Sequence, residues 1–451
     1  MLRKKGLKTM TANRSHHASP LLTAALLLSL FGCNVTPSSP PPLTLYAPTT
    51  YAPTTPQHFA RVGDVVIESS DTREGVAAQQ GGTIISWYPD QGYATLGYPT
   101  LDGVQLTAKT AIKNYAVPGV QNPRAYGINS WSTGWNTWAG GWNSWSGGWT
   151  SWSQGDESNI PGQNAKIWNK IGLTRATRLA PKAGQGIIIA VIDTGIDLTH
   201  PAFQGVLTDP STWWDWVSGD AKPQDEAGGA SYGHGTSVAG IALQVAPNAK
   251  LMPLRVLGAD GMGETANVIA AIDWAVAKGA RVINLSLGTT KDRALGRALD
   301  NATRKGVFVI SSSGNSGDQN VTYPASDSMR YGITGDLSVG VGSSDLNDKK
   351  SRFSTFGWNK IEIVAIGENV SSPAPGGKMG VWSGTSMAAP MVAGGFALAL
   401  AERNFSDLRR VGQELPWDSD DLSASDQDYG FYLGGRLNLE KFLKAVLSSG
   451  F

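Results

Sequence analysis

Four polar residues in the second half of the chain are of types that could together form a catalytic site. They lie in short motifs: Asp193 in VIDTGID, His234 in YGHGTSVAG, Asn315 in SSSGNSG and Ser386 in SGTSMAAPMVAG. A tightly held carboxylate can orient another group, a histidine can act as a general base, and an amide can donate to an oxyanion. Each residue alone is also explained as an ordinary structural, turn or capping residue. The prediction therefore depends on their occurrence together and in this order.

The scarcity of histidine narrows the choice of a general base. The chain has five histidines, and only His200 and His234 lie in its large C-terminal part. His200 follows Asp193 closely, in the turn LTHP, and we expect it to have a structural role. His234 lies between two glycines ahead of a predicted helix, where backbone and substrate can approach closely. It is therefore the one good candidate for a general base.

Ser386 and Asn315 are placed where a negative charge could be stabilised. Gly384 and Thr385 lead into a long helix of small residues, so Ser386 is expected in its first turn. The start of a helix offers unpaired N–H groups and the positive end of the helix dipole, and both favour an oxyanion beside the serine. Asn315 ends an apolar strand, and its amide could donate to the same oxyanion. A capping serine and a turn asparagine are the plain alternatives.

The elements that must position these residues alternate regularly from about Ala165 onward. Apolar strand candidates are separated by segments of helical periodicity, notably 265–279 and 293–306. Strands that are apolar throughout, with helices between them, are typical of a parallel sheet covered on both faces. Ligands bind beyond the carboxyl ends of such strands. The predicted strands are 186–193, 250–257, 281–288, 307–314, 338–345 and 361–367.

Together the four motifs resemble those of the subtilisin-like serine proteases, in the same order. The resemblance covers residues 165–447 and implies a doubly wound, mostly parallel α/β sheet with helices on both faces. It implies that Ser386 is the nucleophile and that His234 takes its proton. Asp193 would orient His234 and stabilise its imidazolium. Asn315 and the Ser386 N–H would form the oxyanion hole.

Further matches to this family imply a cleft for an extended peptide. One edge would be the strand LSLG, which would also wall the P1 pocket, and the opposing edge would be the segment DGMGE. SSSG would form the other wall of the P1 pocket. Main-chain pairing would supply affinity, and the pockets would supply selectivity. Since these stretches carry charge only at the rim, we expect broad specificity toward proteins and peptides, with apolar or aromatic P1 residues preferred. The implied substrate-binding residues are Ser286, Leu287, Gly288, Gly261, Gly263, Ser312 and Gly314.

Two departures from the family pattern concern the site. Ser237 stands where many members have a second histidine, and we expect little effect because that position points away from the chemistry. Ala202 stands where many members have a calcium-ligating aspartate, so the family's strongest calcium site is in doubt. Calcium remains a possible cofactor, because the acidic segments 345–350 and 418–428 could bind a hard cation. Solvated loops are the alternative, and no metal ligand is assigned.

The N-terminus has the features of a targeting segment. A basic region is followed by the apolar run 21–31, which is too short for a stable transmembrane helix. The run leads to Cys33, the only cysteine of the chain, so intramolecular disulfides are impossible. The pattern resembles a bacterial lipoprotein signal over residues 1–32, with lipidation of Cys33 and attachment to a membrane; an ordinary secretion signal is the alternative. Either interpretation places the protein outside the cytoplasm.

Length and composition suit one large domain preceded by smaller pieces. The chain has 451 residues, of which 41% are hydrophobic, enough for a sizeable core. Lys and Arg total 37 against 36 Asp and Glu, so the net charge does not indicate a nucleic-acid partner. Residues 33–58 are rich in proline, serine and threonine and are expected to form an extended tether. Residues 161–451 are expected to form the catalytic domain.

Residues 59–125 are predicted to form a small α+β domain. The pattern comprises strands, a helix opened by a capping box of Asp71 and Glu74, and a second helix. The segment has the size and position of the prodomain that the family often carries, which inhibits its own enzyme and is removed by self-cleavage. Because Cys33 precedes it, such cleavage would release the protease from a lipid anchor. The predicted strands are 64–69, 82–88 and 93–98, and the second helix is 107–116.

A tryptophan-rich stretch separates the two predicted domains. Seven tryptophans lie between Trp131 and Trp152 at alternating steps of four and three residues, close to the period of a helical seam. The intervening glycines disfavour an isolated helix. We expect residues 126–160 to be a flexible linker, or part of the prosegment that docks on the catalytic domain or the envelope. The alternative function is a catalytically silent scaffold that binds glycan or envelope through this tract.

Overall fold

The structure is a computed structural model that describes residues 59, 61–98, 127–130, 164–328 and 333–451. The predicted signal peptide, the lipidation site Cys33, the whole tether and the tryptophan tract lie outside the described residues. So does the predicted helix 107–116. The described residues belong to the small domain, the C-terminal domain and a short segment between them.

The small domain is a three-stranded antiparallel sheet with one helix. Strand β1 spans Arg61–Val66, helix α1 Arg73–Gln80, strand β2 Thr83–Tyr88 and strand β3 Tyr93–Tyr98, and the strand order is β1-β3-β2. These bounds follow the predicted pattern, except that the first strand begins three residues earlier than expected. Its apolar side chains pack together, with Leu96 and Tyr98 fully buried.

The helix cap of the small domain differs from the prediction. Thr72, not Asp71, is the N-cap of α1, and its hydroxyl accepts the N–H of Gly75. Asp71 instead accepts the N–H of Glu68 at 2.8 Å and closes the preceding turn. A carboxylate one residue before a threonine can satisfy the turn while the threonine satisfies the helix.

The C-terminal domain is built on an eight-stranded sheet in which every neighbouring pair is parallel. This confirms the predicted α/β class. Each predicted strand forms, although the segment 281–288 divides into two strands. The sheet strands, from edge to edge, are β16 (Gly435–Arg436), β13 (Ile363–Ile366), β12 (Ser338–Ser344), β11 (Phe308–Ser312), β9 (Val282–Leu285), β5 (Ile188–Asp193), β7 (Lys250–Arg255) and β6 (Trp214–Asp215).

Helices cover both faces of this sheet. Successive residues of β5 show the alternation: Val191 packs into one apolar cluster and Ile192 into the other, because neighbouring strand residues point to opposite faces. The described helices of this domain are α2 (Ala165–Lys170), α3 (Leu173–Leu179), α4 (His234–Val245), α5 (Thr265–Ala277), α6 (Arg293–Arg304), α7 (Ile333–Leu337), α8 (Thr385–Glu402), α9 (Leu408–Trp417) and α10 (Leu439–Ser448).

Helix α8 is the central helix of one face. It is apolar and long enough to cross a membrane, but 94% of it is buried inside the domain. Its small residues allow close contact with α4: a side chain at Gly394 would meet Val245 at 2.6 Å. Phe396 stacks on Phe308 of β11 with ring centroids 4.2 Å apart. This packing fixes the first turn of α8 relative to the sheet.

Two small antiparallel sheets complete the fold. Strand β14 (Val370–Ala374) pairs with β15 (Lys378–Trp382). Strand β4 (Gly127–Ser130) lies between β8 (Met262–Glu264) and β10 (Leu287–Gly288). Four residues of the predicted linker 126–160 therefore form a strand, because two sheet edges of the C-terminal domain satisfy their backbone groups.

The small domain packs on helices α5 and α6. The Tyr88 hydroxyl of β2 donates to Asp273 of α5 at 2.8 Å. Asp64 of β1 lies 3.4 Å from the guanidinium of Arg297 on α6, which also stacks on the ring of Tyr93 at 4.1 Å. Buried polar groups on both sides thus have partners across this contact, which makes the docked geometry specific.

Candidate active site

Asp193 and His234 are brought together from two elements distant in the sequence. Asp193 is the last residue of β5, and His234 is the first residue of α4. The His234 ring Nδ1 lies 2.7 Å from Asp193 Oδ1, and the two residues are 1% and 0% exposed. The carboxylate therefore accepts the Nδ1 proton and leaves Nε2 as the basic nitrogen. His234 Nε2 has no hydrogen-bond partner among the described residues.

The environment of His234 raises its pKa above the ordinary value. Burial disfavours the imidazolium and by itself lowers the pKa, but the charge of Asp193 and its hydrogen bond outweigh this effect. Asp225 adds a smaller increase. The ring is therefore basic enough to take a proton from a neighbouring hydroxyl once it is neutral.

Ser386 is the second residue of α8 and lies next to Ser286, the residue between β9 and β10. Its hydroxyl approaches the carbonyl of Ser286 at 3.4 Å, and the Ser286 hydroxyl donates to the Ser386 carbonyl at 2.9 Å. Helices α4 and α8 meet at this level, where Ser237 Oγ lies 3.8 Å from Met387 Sδ. The first turns of the two helices thus hold Ser386 and the histidine on the same side of the sheet.

Ser237 itself only partly fits the expectation that it points away from the chemistry. Its hydroxyl donates to the carbonyl of His234 at 2.8 Å and contacts Met387, the neighbour of Ser386. A serine here bonds to its own helix and leaves room for the methionine sulfur. The residue therefore helps to pack the two helix starts together.

Asn315 is oriented by the residue that precedes Ser386. Its Oδ1 accepts both the N–H and the hydroxyl of Thr385, each at 2.9 Å. With the oxygen fixed in this way, Nδ2 is turned away from Thr385; it is buried and has no hydrogen-bond partner among the described residues. An unpaired buried donor is costly unless function uses it. No local pattern identifies this role of Thr385, because it depends on a contact between residues 70 positions apart.

Two sheet edges run beside this cluster. Strand β4 pairs antiparallel with β10, with Ser130 opposite Leu287 and Asn129 opposite Gly288. On its other side β4 pairs antiparallel with β8, with Ile128 opposite Gly263. The predicted substrate edges therefore bind an extended segment, and in this structure the segment is the chain's own.

Glycine is required at several positions along these edges. Gly261 has a φ of 78°, a left-handed conformation, in the turn before β8. At Gly263 a side chain would meet the carbonyl of Val256 at 2.2 Å. Ser312 ends β11, and Gly314, with a φ of 113°, donates its N–H to the Thr385 hydroxyl at 3.2 Å. Ser312 and Gly314 thus lie at the carboxyl end of β11, where a pocket wall is predicted.

His200 has the structural environment that was expected. Its Nδ1 accepts the N–H of Ala202 at 3.1 Å, and its Nε2 lies 2.8 Å from the carbonyl of Lys378 in β15. Both ring nitrogens are therefore engaged with backbone groups, and the side chain fastens the turn after β5 to the hairpin of β14 and β15.

The acidic segments do not offer a calcium site. Asp348 pairs with Lys170 and Arg436, each at 2.7 Å, and Asp420 pairs with Arg436 and with Lys441. Within the part of the chain that the structure describes, there is no group of three or more His, Cys, Asp or Glu residues placed to hold a metal ion. Asp348 and Asp420 are used in ion pairs, so these two carboxylates fit a calcium ion poorly.

Comparison with known proteins agrees with this architecture. The family model of the subtilase family matches residues 184–422. Subtilisin BL from Lederbergia lenta is 40% identical over 48% of this chain and 76% of its own length, and the alkaline protease from Alkalihalobacillus alcalophilus is 40% identical over 54% of its length. Thermitase from Thermoactinomyces vulgaris is 34% identical over 57% of this chain and 88% of its own.

A solved structure gives the same result. A cold adapted subtilisin-like serine proteinase is 31% identical, with a TM-score of 0.50 over 57% of this chain and 90% of that chain. The predicted family resemblance is thus confirmed by sequence and by fold. The chain belongs to the subtilase family and is a serine endopeptidase of the subtilisin type.

Proposed function

We propose that this enzyme hydrolyses peptide bonds with Ser386 as nucleophile, His234 as general base and acid, Asp193 as its orienting carboxylate, and Asn315 as an oxyanion donor. The observation that carries the proposal is the buried 2.7 Å contact between His234 Nδ1 and Asp193, which leaves His234 Nε2 unpartnered among the described residues. The same region holds the unpaired Nδ2 of Asn315.

The steps follow from these positions. Ser386 Oγ attacks the carbonyl carbon of the scissile bond while His234 Nε2 takes the hydroxyl proton. The new oxyanion accepts hydrogen bonds from Asn315 Nδ2 and from the Ser386 N–H in the first turn of α8. The C–N bond then breaks, the amine leaves with the proton from His234, and an acyl-enzyme remains. Water, deprotonated by His234, hydrolyses the ester and restores the serine.

The substrate is proposed to be an extended protein segment bound between β8 and β10, with Ser286, Leu287 and Gly288 on one side and Gly261 and Gly263 on the other. The pairing of β4 with both edges supports this binding mode. Ser312 and Gly314 would wall the P1 pocket, which is expected to prefer apolar or aromatic residues. A peptide library that gave strict preference for lysine or arginine at P1 would contradict this specificity.

The small domain is proposed to be a prodomain that inhibits its own enzyme. The chain runs from its sheet to β4, which occupies the proposed substrate edges. Strand β4 ends at Ser130, opposite Leu287, and the residue that precedes Leu287 is Ser286, whose carbonyl lies beside the Ser386 hydroxyl. We therefore propose that the enzyme cuts its own chain between Trp131 and Ser132.

Maturation at this bond would also change the localisation. The lipid proposed on Cys33 would leave with the prodomain, and the protease would be released from the envelope with the rest of the tryptophan tract at its N-terminus. The expected result of N-terminal sequencing is a mature chain that starts at Ser132. A start outside the neighbourhood of β4 would contradict the proposed cleavage site.

The proposal is tested with a Ser386→Ala variant of the full chain. It should hydrolyse no casein, remain at full length and fail to react with a fluorophosphonate probe. The wild type should hydrolyse casein, cut its own chain and react with the probe. Ser316→Ala is the matched control, because Ser316 is an exposed serine next to Asn315 and should leave these results unchanged. Equal labelling of the Ser386→Ala and wild-type chains would refute the assignment of the nucleophile.

A further inference from the structure

One buried carboxylate beside the candidate site has no part in the reaction steps above. Asp225 precedes His234 in a loop and is 2% exposed. Its Oδ1 accepts the N–H of Gly233 at 3.0 Å and lies 3.4 Å from the hydroxyl of Thr194. Its Oδ2 accepts the N–H of Thr236 at 3.3 Å and the hydroxyl of the same residue at 2.6 Å.

These partners belong to both arms of the Asp193–His234 pair. Thr194 directly follows Asp193, and its N–H donates to Asp193 Oδ1 at 2.7 Å. Gly233 directly precedes His234, and Thr236 lies in the same first turn of α4. Asp225 therefore contacts the backbone or hydroxyl groups on each side of the pair without touching either side chain's reacting atoms.

The hydrogen-bond pattern favours the ionised form of Asp225. The Thr194 hydroxyl accepts the N–H of Gly235 at 2.9 Å, and the Thr236 hydroxyl accepts the N–H of Asp197 at 2.9 Å. Each hydroxyl thus keeps its proton for Asp225. All four contacts of the carboxylate come from donors, the arrangement that an ionised carboxylate requires.

We propose that Asp225 is a positioning residue for catalysis: an ionised carboxylate that fastens the turn after Asp193 to the first turn of α4, which carries His234. The inference rests on the proposed roles of Asp193 and His234. A second anchor outside their own hydrogen bond resists rotation of the imidazole when its charge changes during the reaction. Small errors in such a geometry lower the rate strongly.

Asp225 also contributes charge at this point of the site. Burial raises the pKa of Asp225 to about 7, and the nearby charge of Asp193 raises it too, against the hydrogen bonds of Thr236 and Gly233 that lower it. The titratable groups that face it are Asp193, His234 and Tyr232. Its negative charge raises the pKa of His234, so removing the charge lowers the pKa of that ring.

The test compares Asp225→Asn with Asp197→Asn, each made in the wild type and in the Ser386→Ala full chain. Asp197 is the matched control because it is equally buried in the neighbouring loop, while its carboxylate accepts from Thr199 and Gly376 and not from α4. In the Ser386→Ala chain, the Nδ1 proton of His234 is followed by NMR as a function of pH. In the processed wild-type chain, kcat and KM are measured on a chromogenic peptide.

Asp225→Asn should lower the His234 titration midpoint and the acid limb of the pH profile by about half a unit. It should reduce kcat by about tenfold or more with little change in KM. Asp197→Asn should leave the His234 midpoint in place. The inference would be overturned if Asp225→Asn left the His234 titration midpoint unchanged. It would also be overturned if the loss of activity came from a change in KM alone. A shifted midpoint with no hydrolysis by any chain, wild type included, would instead refute the proposed function.

Thr236→Val covers the case in which Asp225→Asn does not fold. Valine has nearly the same shape as threonine, but the variant loses the 2.6 Å hydrogen bond from the Thr236 hydroxyl to Asp225. Its kcat should fall while the His234 titration midpoint moves less than in Asp225→Asn, because the charge of Asp225 remains. An unchanged kcat would overturn the inference on this route.

Discussion

The contact between the small domain and α5 should weaken as the pH rises, and Asp273→Asn should remove most of this effect. Asp273 is 6% exposed beneath β2, where Tyr88 donates to its Oδ2 at 2.8 Å and Asn301 donates to its Oδ1 at 3.2 Å. Burial raises the pKa of Asp273 from 3.8 to about 6, although the hydrogen bonds of Ser86 and Tyr88 lower it. The docked state therefore holds the proton more tightly than a solvated carboxyl does.

The sign and size of the effect follow from this difference in proton binding. Between about pH 4 and 6 the docked state binds more protons than the released state, so docking becomes less favourable as the pH rises through that window. A difference of about two pKa units corresponds to about 3 kcal/mol at pH values above both. In Asp273→Asn the penalty for burying a charge is absent, while one hydrogen bond worth about 1 kcal/mol is lost. The variant should then dock about 2 kcal/mol more tightly at pH 7.5.

Hydrogen exchange of the full-length Ser386→Ala chain measures this free energy, because that chain is expected to stay uncut. Protection of the amides in β1, β2 and β3, corrected for the intrinsic exchange rate, should fall between about pH 4 and 6 in the parent. In Asp273→Asn it should be higher at pH 7.5 and nearly independent of pH. Burial also raises the pKa of Asp64, so protection in this variant should still fall slightly as the pH rises.

Asp90→Asn is the control, because Asp90 is exposed in the same domain and faces solvent. It should reproduce the pH dependence of the parent chain. The reasoning is refuted if Asp273→Asn and the parent lose protection equally between about pH 4 and 6. It is also refuted if the variant is less protected at pH 7.5, since that would mean the ionised carboxylate stabilises the docked state.

Three further predictions concern the catalytic domain. Asn315→Ala should lower kcat about 10²- to 10³-fold with little change in KM. The reason is that the variant lacks the unpaired Nδ2, which is proposed to donate only to the oxyanion. Steady-state kinetics on a chromogenic peptide measure this. Because Asp193 raises the pKa of His234 and the base must be neutral, the acid limb of kcat/KM should lie above the ordinary histidine value of about 6.5, as a pH series would show. A chelator should leave the melting temperature of the processed enzyme unchanged, as calorimetry with and without EDTA would show. Asp348→Ala should lower the melting temperature in the same assay, because two ion pairs are lost.

The sequence determined the class of the fold because the signal is local. Runs such as 186–193 and 307–314 are apolar throughout, and only a strand covered on both faces buries every side chain of such a run. The same holds for the candidate site. Asp193 and Asn315 come at strand ends and His234 and Ser386 at helix starts, which are the places where a parallel sheet gathers side chains at one edge.

The tertiary structure decided what depends on contacts between distant segments. Strand β4 has no pattern of its own and forms because β8 and β10 leave two edges for it. Asp225, Thr385 and Asp273 are ordinary residues in the sequence, and each acquires a role from partners across the fold. Periodicity records which face of an element is buried, but it does not record which polar groups meet there. Those pairings, and the free energy of burying them, exist only once the chain has folded.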